Sequence, residues 1–260
     1  MSEDTTELQR QVTHAALDAL REHPFALAGS GAIREHGFIR RLSHDVDLFS
    51  NDPASFGAAV DALDAELTAR GFTVDQIRRY ESFAQLRVTT ADGQAVDMDL
   101  AVDWRSTEPV SLQVGPVLAV EDAVGSKVGA IYTRLEARDF IDVDAIRQSG
   151  RFTDEQLLQM AETRDDGFDR ATYATQLRQV ARIRDGRFAD YGTTGEDLTA
   201  LRTRILDWAD TIAPRSADQR TPATTVSPSR LAVPKSPWPT DTARSTAATP
   251  RRERPGPIIV

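Results

Sequence analysis

Two aspartates, Asp45 and Asp47, stand one residue apart inside an otherwise apolar run that contains Val46, Leu48 and Phe49. In an extended strand, residues i and i+2 point to the same side, so both carboxylates leave one face together. Two carboxylates held side by side repel unless a cation lies between them, and the apolar neighbours place the strand in a core. Hard oxygen ligands at this spacing suit Mg²⁺ or Mn²⁺ carried with substrate phosphates. An acid-x-acid pair alone is common; the apolar flanks and a Gly-Ser turn upstream give this one its weight.

Upstream lies Phe25-Ala26-Leu27-Ala28, a short apolar run that ends in Gly29-Ser30-Gly31. This reads as a buried strand breaking into a turn, followed by a helical turn over Ala32 to His36. Glycines after a strand let a ligand approach the backbone closely, and the N–H groups of a following helix suit a phosphate. Pro53 to Arg70 reads as a helix with Pro53 in its first turn and Gly71 past its end. Phe83–Thr89 and Gln94–Val102 alternate and are joined by Ala91-Asp92-Gly93, a hairpin signal. On the second of these strands Asp97, Asp99 and Asp103 share one face, with Met98, Leu100 and Val102 on the other. From that face a third carboxylate could join the first two.

The pattern then changes period. Val120, Val124, Val128, Ile131 and Leu135 recur at helical spacing, and further amphipathic stretches follow to Ile212. The expected organisation is a mixed α/β part over 1–118 and a helical part over 119–213, an α+β class. Lys127 lies about 60° from the centre of the apolar face of its helix, so its stem can follow the core and its ammonium can reach a phosphate over a cleft. It is the only lysine before residue 214; the other is Lys235.

Composition breaks at Pro214. Nine of the 13 prolines lie from there to Val260, so this segment reads as a disordered tail. The tail has eight basic and three acidic residues, a charge of +5, which leaves the remaining 213 residues at −9 − 5 = −14. An acidic body argues against a generic nucleic-acid coat. The absence of cysteine rules out thiolate metal sites and cysteine nucleophiles. His14, His23, His36 and His44 form no triad with a serine, and His44 reads as a surface loop residue. With neither a signal-like start nor a membrane-length apolar run, the expected setting is cytoplasmic.

Taken together these residues resemble the AbiEii/AbiGii-type nucleotidyltransferase toxins of the polymerase-β-like superfamily. The superfamily pattern of Gly-Ser, a spacer, acid-x-acid and a later third acid is matched by Gly29-Ser30, Asp45-Val46-Asp47 and Asp97 or Asp99. The run Arg41-Leu42-Ser43-His44-Asp45-Val46-Asp47-Leu48-Phe49 matches the branch's R-x-S-x-D-h-D-L-F. Lys127, Ala130, Arg134, Arg138, Asp139 and Asp142 match its K-x-x-A…R-x-x-x-R-D-x-x-D. The resemblance implies a polymerase-β-like mixed sheet with flanking helices and a helical C-terminal lobe.

It further implies Mg²⁺ or Mn²⁺ on Asp45, Asp47 and Asp99, with Asp97 as the alternative third ligand. Nucleotide phosphates would be held by Gly29, Ser30, Gly31, Ser43 and Lys127, and Asp139 would orient the lysine or take part in catalysis. The implied reaction moves NMP from an NTP to an acceptor hydroxyl on RNA, such as tRNA, or on protein, with a cognate antitoxin as partner. Nucleotidylation of a cationic small molecule, and a nucleotide-binding module without turnover, are the alternatives.

Overall fold

The computed structural model describes residues 3–41, 43 and 45–213, with side chains from residue 7 onward. His44 and the tail over 214–260 lie outside the described residues. The helix α1 (Glu3–Ala19) leads into β1 (Phe25–Leu27), α2 (Gly29–Glu35), β2 (Asp45–Ser50) and α3 (Phe56–Ala69). Five strands follow: β3 (Thr73–Arg79), β4 (Phe83–Thr89), β5 (Ala95–Val102), β6 (Val110–Leu112) and β7 (Gly115–Val117). The rest is helical: α4 (Val120–Arg134), α5 (Ala137–Gln148), α6 (Asp154–Arg164), α7 (Arg170–Arg178), α8 (Asp185–Ala189) and α9 (Gly195–Ile212).

The seven strands form one mixed sheet in the order β3-β4-β5-β2-β1-β7-β6. β2 runs parallel to β5 and antiparallel to β1, while β3, β4 and β5 form an antiparallel meander. Alternation decides what each face does. Leu86 and Val88 on β4, with Val96, Met98 and Leu100 on β5, are buried with the apolar sides of α1 and α3 in the core. The opposite parity carries Gln85 and Arg87 on β4 and Asp97 and Asp99 on β5. The Ala91-Asp92-Gly93 hairpin forms, with Gly93 at φ +84° and Thr89 paired to Ala95.

Three strands carry too little pattern to be read in advance. β3 is an edge strand exposed along most of its length, so nothing selects apolar residues at alternate positions. β6 and β7 are three residues each. The Pro53 helix starts later than its sequence suggests. Asp52 accepts hydrogen bonds from the Ala54 N–H (3.0 Å) and the Ser55 hydroxyl (2.5 Å), so Pro53 belongs to an Asp-closed turn and helix begins only at Phe56. Gly29-Ser30-Gly31, read as a turn, instead forms the opening turn of α2, with only Gly29 in the left-handed region at φ +54°.

Candidate active site

The parallel pairing of β2 with β5 brings the acids together. Asp45 is in register with Asp97 and Asp47 with Asp99, so all four leave the same face. Their neighbours on β4 then separate Asp97 from Asp99. Arg87 lies across from Asp97 and donates to both of its carboxylate oxygens at 2.7 and 3.0 Å. Gln85 lies across from Asp99 and donates a single hydrogen bond of 2.9 Å to Oδ1. Asp45, Asp47 and Asp99 each place a carboxylate oxygen within 4.8 Å of the others. Asp103, expected on the same face, falls just past the end of β5 and pairs with Arg164, which also holds Asp122 at 3.1 Å.

Neighbouring residues give these three acids room and direction. The Ser43 hydroxyl donates to Asp45 Oδ1 at 2.9 Å. Gln9, on α1, donates to the backbone carbonyls of Ser43 (3.1 Å) and Asp45 (3.3 Å), fixing the entry to β2. The sequence gives no signal for Gln9, because a polar residue on an amphipathic helix carries no sign of a distant partner. Gly29 makes the space for Asp47: a Cβ there would lie 1.8 Å from Asp47 Oδ2. The neighbouring Gly31 serves packing, since a Cβ would stand 2.9 Å from the Leu27 side chain.

Burial, with Asp45 and Asp99 beside it, pushes the Asp47 carboxyl up from 3.8 to about 7. Lys127 and Arg138 oppose that rise and do not overcome it. Three converging carboxylates, hard oxygen donors of which one is raised by its neighbours, fit a divalent cation of the Mg²⁺ or Mn²⁺ kind.

A second acidic cluster lies beside the first and is built in the opposite way. Lys127 is 3% exposed; the buried face of α4 is broad enough to enclose it, whereas its angle on the helix suggested a border position. Its ammonium donates to Ser30 Oγ at 2.9 Å and Asp139 Oδ1 at 3.2 Å, and lies 3.0 Å from Asp142 Oδ2. Three partners account for its three protons. Ser30 also accepts from Arg41 and donates to Asp142, both at 2.9 Å. Asp142, fully buried, receives a two-pronged contact from Arg41 at 2.8 and 2.6 Å. Asp139 receives the equivalent from Arg134 at 2.7 and 2.9 Å.

Burial works against the Asp139 charge, yet Arg134 and Lys127 more than offset it and hold that carboxyl well below the usual carboxylate range. Arg41 also lies over the Tyr191 ring, 5.1 Å from its centroid. The structure thus brings Ser30, Lys127 and Asp139 together, and adds Arg41 and Asp142 as their partners.

A mixed sheet that carries two acids on one strand and a third on its parallel neighbour, followed by a helix whose lysine meets a post-strand serine, is a polymerase-β-like fold. Residues 13–212 match the family described as nucleotidyl transferase AbiEii toxin, type IV TA system, and the chain belongs to that family. No curated protein matches the chain. Among solved structures it is similar to JHP933 from Helicobacter pylori, with TM-score 0.53 and 16% identity over 82% of this chain and 93% of that one. It also matches MenT4, a nucleotidyltransferase toxin from Mycobacterium tuberculosis H37Rv, with TM-score 0.49 and 18% identity over 82% and 85%. The likeness to JHP933 is one of fold. Among the described residues no helix is long and apolar enough to cross a membrane.

Proposed function

We propose that the chain transfers a nucleoside monophosphate from an NTP to an acceptor: the acceptor hydroxyl attacks the α-phosphate, the bond from that phosphorus to the oxygen bridging to the β-phosphate breaks, and pyrophosphate leaves, with a divalent cation, Mg²⁺ or Mn²⁺, held on Asp45, Asp47 and Asp99. The convergence of three carboxylate oxygens within 4.8 Å, beside a carboxyl pushed up to about 7, carries this reading. When bound, such a cation neutralises charge on the reacting phosphate and favours attack by a hydroxyl. The protein's own share is to hold the ligands still. Ser43 and Gln85 each fix one oxygen, of Asp45 and Asp99 respectively. Asp99, whose Oδ1 accepts from Gln85, is the carboxylate assigned to accept the acceptor's proton.

In this reading Lys127 is the post that ties Ser30 on α2 to Asp139 and Asp142 on α5. It thereby sets where α2 presents its first turn to nucleotide phosphates. The part over 1–118 supplies the cation ligands and Ser30, and the part over 119–213 supplies the lysine with Asp139 and Asp142. The acceptor is an RNA such as tRNA, or a protein, and a cognate antitoxin restrains the activity in the cell.

Incubation with each α-labelled NTP, Mg²⁺ or Mn²⁺, and total tRNA or cell extract tests the reaction. Label should appear in an acceptor for the wild type and disappear for Asp47→Ala and Asp99→Ala. Absence of label in every acceptor with wild type, or its survival in both variants, refutes the proposal. An aminoglycoside arm tests the one alternative that the −14 charge of residues 1–213 favours, a cationic small-molecule acceptor.

A further inference from the structure

Among the described residues four cations lie at the two acidic clusters, and three have their charge consumed there. Lys127 contacts Ser30, Asp139 and Asp142; Arg134 is bound two-pronged to Asp139; Arg41 is bound two-pronged to Asp142. Arg138 differs. It stands between Ala137 and Asp139 on α5, its side chain 18% exposed, and its single ion pair among the described residues is with Asp45, at 4.0 Å. Its Nε is shut off from water and has no hydrogen-bond partner. A buried guanidinium nitrogen without an acceptor is costly. The planar fork of an arginine suits two oxygens of one phosphate.

We infer that Arg138 is the residue that grips the polyphosphate of the nucleotide, and that it rests against Asp45 until that anion arrives. The inference rests on the cation–nucleotide reading above. Two cations cannot share the Asp45 carboxylate comfortably. A divalent ion placed on Asp45, Asp47 and Asp99 repels a guanidinium 4.0 Å from Asp45 unless an anion lies between them. A polyphosphate is that anion: its oxygens reach the ion on one side and the arginine fork on the other. Lys127, whose protons are all spent inside the fold, then needs no phosphate of its own.

The distinguishing consequence is a pair of effects with opposite sign. Arg138→Gln should bind Mn²⁺ alone about two- to fivefold more tightly, because a positive neighbour of the ligands is gone. The same variant should bind inorganic tripolyphosphate in the presence of Mn²⁺ at least about tenfold more weakly, because a charge-assisted pair is lost. Arg138→Lys, which keeps the charge without the fork, should recover Mn²⁺ affinity to the wild-type value and tripolyphosphate affinity only in part.

Calorimetric titration of the full chain with Mn²⁺, and then with tripolyphosphate at saturating Mn²⁺, reads both quantities. Loss of Mn²⁺ and tripolyphosphate binding together in Arg138→Gln would make the arginine a structural element and overturn the inference. Unchanged tripolyphosphate affinity would overturn it as well, while leaving the cation site standing. A wild-type chain that binds neither Mn²⁺ nor tripolyphosphate would remove the function proposed above along with it.

Discussion

The molecule holds two acidic clusters a few residues apart in space, and they solve the same electrostatic problem in contrary ways. Asp45, Asp47 and Asp99 project from neighbouring strands, with Arg138 4.0 Å from Asp45, and burial together with mutual repulsion pushes Asp47 up to about 7. Asp139 and Asp142 lie deeper, on one helix, and are matched by Arg134, Lys127 and Arg41, so that Asp139 stays ionised against its burial. In the first cluster burial and the neighbouring acids dominate, and in the second the guanidinium and ammonium groups do. In the function proposed above, the first cluster takes up a cation from outside the chain.

The strongest way to break this contrast is to delete an acid from the self-sufficient cluster. Asp139→Ala strips the half-buried Arg134 of its carboxylate and leaves buried Lys127 with Ser30 and Asp142 alone, and should lower unfolding free energy by about 3 kcal/mol in denaturant titration. A loss of less than about 1 kcal/mol would show that water or relaxation replaces the pair.

Asp47→Asn should behave oppositely in cation-free protein. The folded chain keeps a proton on Asp47 between 3.8 and about 7 while the unfolded chain has released it. Stability of the wild type therefore falls as pH rises through that window, by up to about 1.4 kcal/mol per pH unit from this group. The asparagine variant should show a shallower slope and be the more stable protein above pH 7. Denaturant titrations from pH 4 to 8 in chelator read the difference, and parallel slopes would refute it.

Divalent ions sharpen the comparison further. At a hundredfold excess over its dissociation constant, Mn²⁺ should stabilise the wild type by about 2.7 kcal/mol, more at pH 8 than at pH 6, where Asp47 still holds its proton. Gly29→Ala, whose Cβ would displace the Asp47 carboxylate, should lose most of that gain in a thermal shift assay. The smallest effect is expected at Gln85→Leu, which removes one hydrogen bond from Asp99. It should lower transfer rate by about tenfold, equivalent to about 1.4 kcal/mol, with little change in stability. An unchanged rate would mean that Asp99 holds its orientation without Gln85.

Much of the first cluster is legible in the sequence because its cause is local. Asp45 and Asp47 share a face by parity alone, apolar neighbours place them on a core strand, and a glycine after β1 signals a close approach. The second cluster is half legible. Lys127 and Asp139 stand out by residue type and spacing, but Asp142 and Arg41 acquire their roles only when α5 and the segment before β2 meet. β3, β6 and β7 leave almost no trace, since an exposed edge strand and three-residue strands are selected by pairing rather than by burial.

The sequence by itself determined that paired carboxylates would leave one face of a core strand, that a third would be offered from an alternating strand, and that one lysine would follow on a helix. Those are properties of periods of two and of 3.6 residues, and they need no neighbour. Only the tertiary structure decided between Asp97 and Asp99, because parity is the same for both and the choice falls to the residue across the strand pair: arginine for one, glutamine for the other. Only the tertiary structure, too, turned Lys127 inward and left Arg138 facing Asp45. Which charges neutralise one another depends on distances of a few ångströms between segments far apart in the chain, and a linear pattern carries no record of those.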